Sequence, residues 1–198
     1  FWLYVNKDSE RPKGPFPSLP SGMDKMIKQY FDDCRKRGET PREFKKHNVT
    51  LYDGKKLALW RRNNGMMWKD DEGNVLRGAL DEVVLADGKL VVLDNKTRGF
   101  PVKADTADHY RRQLRSYAFM LKESGENVET SYGLLLFFHP TKMNRNGTVT
   151  FHKELVKVPI DGLPMKKYFA GAIDILKKEV CPEPFNKCGY CAWAKKLI

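Results

Sequence analysis

The sequence predicts an α/β protein, a central mixed β-sheet flanked by helices with a C-terminal cysteine-rich segment, and three stretches carry that prediction. From Gly78 to Gly99, two apolar, β-branched runs flank Asp87-Gly88, a dipeptide suited to the positive φ angles of a tight hairpin turn. Asp105 to Lys122 repeats apolar residues at helical spacing, with Tyr110, Leu114, Tyr117, Ala118 and Leu121 on one face. Tyr132 to Phe138 is a continuous apolar run of the length of a buried strand.

Taken in order, Phe1 to Val5 reads as the tail of a helix. Four prolines between Arg11 and Pro20 predict an extended loop. Ser21 with Asp24 three residues on reads as an acidic capping box, opening a helix with Met23, Met26, Ile27, Tyr30, Phe31 and Cys34 as its apolar stripe and Gly38 at its end. Thr40-Pro41 starts a second, short helix. Val49 to Asp70 is mixed and reads as two short strands around Asn63-Asn64-Gly65. After the hairpin, the long helix and the buried strand come an Asn146-Gly147 turn and an alternating edge strand over Thr148 to Val158. Asp161 to Val180 is a final helix with Pro164 in its first turn. The whole reads as one domain over 1–198: a helical part over 1–48, a core over 75–158, and a closing helix with cysteines over 159–198.

The chain of 198 residues carries 36 Lys+Arg against 25 Asp+Glu, a formal charge of +11, which favours a polyanionic partner, nucleic acid first. No apolar run approaches the roughly 20 residues of a membrane span, so the protein reads as soluble and cytoplasmic. Four cysteines, three of them clustered, suit metal binding in a reducing compartment better than a disulfide framework. Opening on Phe1-Trp2-Leu3-Tyr4 without Met, the sequence is expected to lack its natural N-terminus.

The polar residues of the hairpin are misplaced for an ordinary one. Leu90, Val92, Asp94 and Lys96 share a face by the period of two, which puts a carboxylate and an ammonium side by side at the end of an apolar row. Asp81 interrupts the first strand where it would lie near Asp94. Two carboxylates and a lysine converging at a strand end suit a hard divalent cation and a hydrolytic water. Gln113 and Tyr117, four apart on one helix, aim at one spot. Arg111, Arg112 and Arg115 add charge that suits phosphate.

Leu80-Asp81 followed by Asp94-Asn95-Lys96-Thr97, then Gln113-Leu114-Arg115-Ser116-Tyr117, resembles the PD-(D/E)XK nuclease superfamily in its RecB-like branch. Cys181, Cys188 and Cys191 are similar to the iron–sulfur cysteines of CRISPR-adaptation exonucleases. The resemblance implies a restriction-endonuclease-like core and a Mg²⁺- or Mn²⁺-dependent exonuclease acting on DNA, on single strands or ends, with protein partners in DNA repair or CRISPR adaptation. It implies that Asp81, Asp94 and the Asn95 carbonyl bind the metal, that Lys96 orients or deprotonates the attacking water, and that Gln113 and Tyr117 support the site. It also implies a 4Fe-4S cluster on Cys181, Cys188 and Cys191, zinc being the alternative. The fourth ligand is then either Cys34, whose place on an apolar stripe also suits a plain buried thiol, or a cysteine upstream of Phe1. One departure stands out. The branch carries a metal-binding His after an early Gly, and Gly22-Met23-Asp24-Lys25-Met26 has none; His47, His109, His139 and His152 lie elsewhere, with His109 four before Gln113. Two other readings follow: a nucleic-acid-binding module of the same fold with weak or no catalysis, and a zinc-stabilised interaction domain.

Overall fold

A computed structural model describes residues 2–8, 18–184, 188, 189 and 191. These form two compact units, Pro17–Met165 and the paired end segments Phe1–Phe16 and Lys166–Ile198. Most of the proline-rich stretch from Arg11 lies outside the described residues.

In the larger unit the sheet comprises β1 (Thr50–Leu51), β4 (Glu82–Ala86), β5 (Lys89–Thr97), β6 (Tyr132–Met143) and β7 (Val149–Pro159), in the order β1-β4-β5-β6-β7. Every pairing is antiparallel except β5 with β6, which run parallel because α4 (Arg111–Glu123) carries the chain back between them. β2 (Met66–Lys69) and β3 (Val75–Gly78) form a separate two-stranded sheet. The expected hairpin is β4–β5: Asp87 and Gly88 take φ of 48° and 75°, the positive angles of a type I′ turn, and Ala86 pairs with Lys89.

Period-two alternation sorts the strand residues onto two buried faces. Val83, Leu90, Val92, Leu135 and Phe137 pack with Leu114, Ala118 and Leu121 of α4. Val84, Val91, Leu93, Leu134, Leu136 and Phe138 pack with Ile27 and Phe31 of α2 (Ser18–Lys36) and with Phe44. The central strands are therefore apolar on both sides, and a charge within them needs a reason.

Several boundaries differ from those expected. Helix α2 begins at Ser18, before Ser21; Pro20 is tolerated because the first four N–H groups of a helix have no intrahelical acceptor, and Asp24 turns to Lys28 instead of capping. The two short strands expected between Val49 and Asp70 are β1 and β2, but they belong to different sheets and the helical turn α3 (Leu57–Trp60) stands between them. The helix expected from Asp105 is a 3₁₀ turn, Ala107–Tyr110, leading into α4. Strand β6 runs five residues beyond Phe138, to Met143, and β7 follows it as the edge strand. The last helix, α5 (Met165–Leu176), is shorter than expected and starts after Pro164.

In the unit of the end segments, α1 (Trp2–Lys7) is tied to the end of α5: the Trp2 indole donates to the Lys178 carbonyl at 3.0 Å and Asn6 to the Leu176 carbonyl at 3.1 Å. These carbonyls lie at and just past the end of α5, where backbone acceptors lack intrahelical donors. Cys181 is exposed, Cys188 and Cys191 are half-buried, and none forms a disulfide. No described helix is long and apolar enough to cross a membrane.

Candidate active site

Register brings the two aspartates together. Glu82 pairs with Leu93, so the preceding Asp81, in the bend that enters β4, lies beside Asp94. The Asn95 backbone N–H donates to Asp81 Oδ2 at 3.0 Å. Asp94 is 2 % exposed, and Lys96, two residues on along the same face, places its ammonium against Asp94 Oδ2. That ammonium also stands 4.8 Å from the centre of the Tyr110 ring, which packs edge-on to Phe137. From α4, Gln113 Nε2 donates to Asp94 Oδ1 at 3.2 Å and to the Tyr117 hydroxyl at 3.2 Å. Gly78 lets Tyr117 approach: a Cβ there would come within 2.9 Å of its ring and 2.8 Å of Met120 Cε. Asp81, Asp94, Asn95, Lys96, Gln113 and Tyr117 thus converge.

Other residues join them that sequence reasoning missed. Lys28 on α2 bridges Asp24 Oδ2, at 2.7 Å, and Asp81 Oδ1, at 3.1 Å. Glu82, fully buried, is held by Arg35 and Arg61, which also share Asp32. Arg61 Nε donates to the Asp81 carbonyl at 3.1 Å, so this network positions the backbone of the first aspartate. Burial works against the Arg61 charge, but Glu82 and Asp32 outweigh it and hold its pKa above the ordinary value. The Asp24/Lys28 and Asp32/Arg35 spacings are visible on a helix; the contacts of this network between residues 21 to 53 positions apart are not. Arg111 and Arg115, expected to suit phosphate, donate instead to the carbonyls of Pro159, Leu163 and Thr130. His109 is exposed, and no histidine supplies any of the site contacts given above.

Burial, and after it the neighbouring charge of Asp81, pushes the Asp94 carboxyl up to about 6 against the opposing pull of Lys96 and Lys28. Burial likewise raises Tyr117, keeping its hydroxyl neutral. Two adjacent carboxylates that disfavour each other are what a divalent cation relieves. Asp24 Oδ1 is a buried oxygen without a hydrogen bond, and the buried Asp94 Oδ2 meets the Lys96 ammonium. Among the described residues no three His, Cys, Asp or Glu stand close enough to hold a metal. The carboxylate pair therefore fits an ion of the Mg²⁺ or Mn²⁺ kind, which takes one or two carboxylates and keeps several waters, and not a closed protein cage. The C-terminal cysteines are likewise not gathered around a common centre.

Asp/Glu-x-Lys occurs four times in the chain, at Glu43, Asp53, Asp87 and Asp94. The first three lie on a 3₁₀ turn, a loop and the hairpin turn; the fourth alone lies wholly within a strand of the sheet. A sequence model of the PD-(D/E)XK nuclease superfamily matches residues 6–195. The chain belongs to this superfamily. Its mixed five-stranded sheet flanked by helices is consistent with the PD-(D/E)XK nuclease fold. No curated protein matches the chain.

Proposed function

We propose that this PD-(D/E)XK protein is a Mg²⁺- or Mn²⁺-dependent deoxyribonuclease, an exonuclease acting on single strands or DNA ends. The observation that carries the reading is the convergence of Asp81, Asp94 and Lys96 at one end of the β4–β5 hairpin in a member of a nuclease superfamily. Asp81 and Asp94, with the Asn95 carbonyl, would hold the ion, which supplies charge neutralisation on the phosphate and acidifies water. Lys96 orients the attacking water and can exchange a proton with it. Gln113 fixes the Asp94 carboxylate through Oδ1 and leaves Oδ2 for the chemistry. The test is Mn²⁺-dependent cleavage of end-labelled oligonucleotides together with calorimetric Mn²⁺ binding. A protein that binds no Mn²⁺ and cuts nothing refutes it.

One observation favours a weakly catalytic variant of the same reading: the Lys28 ammonium is salt-bridged to Asp81 Oδ1, where it competes with a divalent ion. Proton competition gives a second handle. With its pKa near 6, Asp94 is ionised above that pH and protonated below it, so Mn²⁺ affinity is expected to fall as pH drops through about 6. Calorimetry at pH 5 and pH 8 checks this, and equal affinities at both would exclude a ligand carboxyl with a raised pKa at Asp94.

The spacing of Cys181, Cys188 and Cys191 supports a further proposal, that these thiols take up an iron–sulfur cluster or zinc. Binding would have to gather them, which metal coordination does by coupling to folding. Cys34, 3 % exposed on the inner side of α2, fits the plain buried thiol. Cys188→Ser is expected to abolish stoichiometric iron or zinc and to lower the melting temperature. Metal-free wild-type protein that melts with the variant rejects the site.

A further inference from the structure

Beyond Thr97↔Phe138, the last pair joining β5 to β6, strands β6 and β7 leave the sheet as a two-stranded ribbon. Pairing continues from His139↔His152 to Met143↔Val149, about 14 Å along β6 at a strand's rise per residue. Pro140 to Met143, Val149, Thr150 and His152 are all exposed. The ribbon has a register irregularity between Pro140 and Lys142 and little burial, and its turn holds the two strands together. Asn144 and Thr148 are joined through their backbones at 2.9 Å, Asn144 Nδ2 donates to Thr148 Oγ1 and Thr150 Oγ1, and Asn146 Oδ1 accepts from the Thr148 N–H. The arm is preorganised and pointed away from the core.

Its charge is one-sided. Residues 96–104 and 138–153 contain Lys96, Arg98, Lys103, Lys142, Arg145 and Lys153 and no Asp or Glu, in a chain with 25 acidic residues. Lys96 is held by Asp94 and Lys153 by Glu43, whereas no ion pair among the described residues engages the other four. The Arg98 N–H donates to the Phe138 carbonyl at 2.8 Å, so the loop leaving the active site lies at the foot of the arm. In that loop, between Gly99 and Pro101, Phe100 is 79 % exposed. A single exposed aromatic is unremarkable. An exposed ring between a lysine-bearing catalytic strand and a basic ribbon is a stacking face beside a phosphate track.

We propose that the β6–β7 ribbon and the 98–103 loop bind a single strand of DNA, with Phe100 stacking on an unpaired base and Lys142 and Arg145 contacting phosphates several nucleotides away. A duplex interior offers no free base face to Phe100, and the basic track fits a phosphate backbone and not a protein surface of mixed charge. The inference rests on the nuclease reading only in assigning which strand reaches Asp94; the binding surface is tested without catalysis.

The full chain in EDTA is titrated into fluorescein-labelled oligothymidylates of about 20 and about 6 nucleotides, from about 50 to 200 mM salt. The longer strand is expected to bind more tightly. Lys142→Gln/Arg145→Gln should lower its affinity about tenfold or more at the low-salt end and reduce the log–log salt slope by about 1.4, the share of two phosphates on a single strand. Phe100→Ala should weaken binding by about tenfold with the salt slope unchanged. All three residues are exposed or in surface segments, so circular dichroism is expected to match the wild type; Lys142→Glu, which reverses the charge, gives a second and larger readout. Wild-type affinity and slope in folded Lys142→Gln/Arg145→Gln and Lys142→Glu proteins would overturn the proposal, as would tighter binding of a blunt duplex with no effect of Phe100→Ala. Failure to cleave with Mn²⁺ while these binding losses hold would refute the nuclease reading and leave the surface standing.

Discussion

Lys96→Ala is expected to lower DNA cleavage by roughly 10²–10⁴, the range of a lost acid–base group, with little loss of DNA binding. The ammonium lies against Asp94 Oδ2 while Gln113 holds Oδ1, so removing it leaves the carboxylate oriented. It does not leave the carboxylate unchanged. Lys96 is the first of the groups drawing the Asp94 pKa down against burial and Asp81, so its loss raises that pKa further and moves the acidic limb of Mn²⁺ binding to higher pH. Near pH 8, Lys96→Ala should bind Mn²⁺ nearly as the parent does and cut far more slowly. Asp94→Ala should differ by losing metal affinity and activity together. The check is a pH series of Mn²⁺ calorimetry beside single-turnover cleavage. A Lys96→Ala protein that cuts at the parent rate, beside an inactive Asp94→Ala preparation treated identically, would remove this hairpin from the chemistry.

Glu82→Ala is expected to cost about 3–5 kcal/mol of stability, the range for breaking a buried ion pair from one side. Glu82 has no exposure, and its two oxygens each meet a guanidinium, from Arg35 and Arg61 at 2.5 Å. Deleting the carboxylate leaves both cations beside Asp32 alone, with Arg35 only 8 % exposed. Arg61→Ala should cost less, because Glu82 keeps Arg35, yet it removes the donor to the Asp81 carbonyl and should weaken Mn²⁺ binding more than its stability loss suggests. Urea unfolding of the two single variants and the double variant measures the coupling. A Glu82→Ala protein that unfolds with the parent would mean the network contributes nothing net.

Much of the site could be read from the sequence because it depends on local geometry. Asp87-Gly88 tolerates the positive φ angles of the turn, and alternation then obliges Asp94 and Lys96 to share the face of Leu90 and Val92. Four residues of helix bring Gln113 and Tyr117 together in the same way. Such relations need only dihedral preferences and a repeat, which any window of the chain contains.

Packing decided the rest. Of four Asp/Glu-x-Lys triplets the apolar alternation before Asp94 marks one in the sequence, and the structure adds that this one alone is buried in a central strand. Lys28 reaches Asp81, and Arg61 reaches Glu82, because α2 and the α3 turn dock where the hairpin ends; nothing within either segment encodes that meeting. The turn and second strand of the ribbon were legible, but the extension of β6 past Phe138 was not, because its residues lack the apolar pattern by which strands are recognised and backbone pairing carries it instead. The raised pKa of Asp94 belongs to the same class. A carboxylate is ordinary in sequence, and it becomes reluctant to ionise only when the fold removes its water and sets Asp81 beside it.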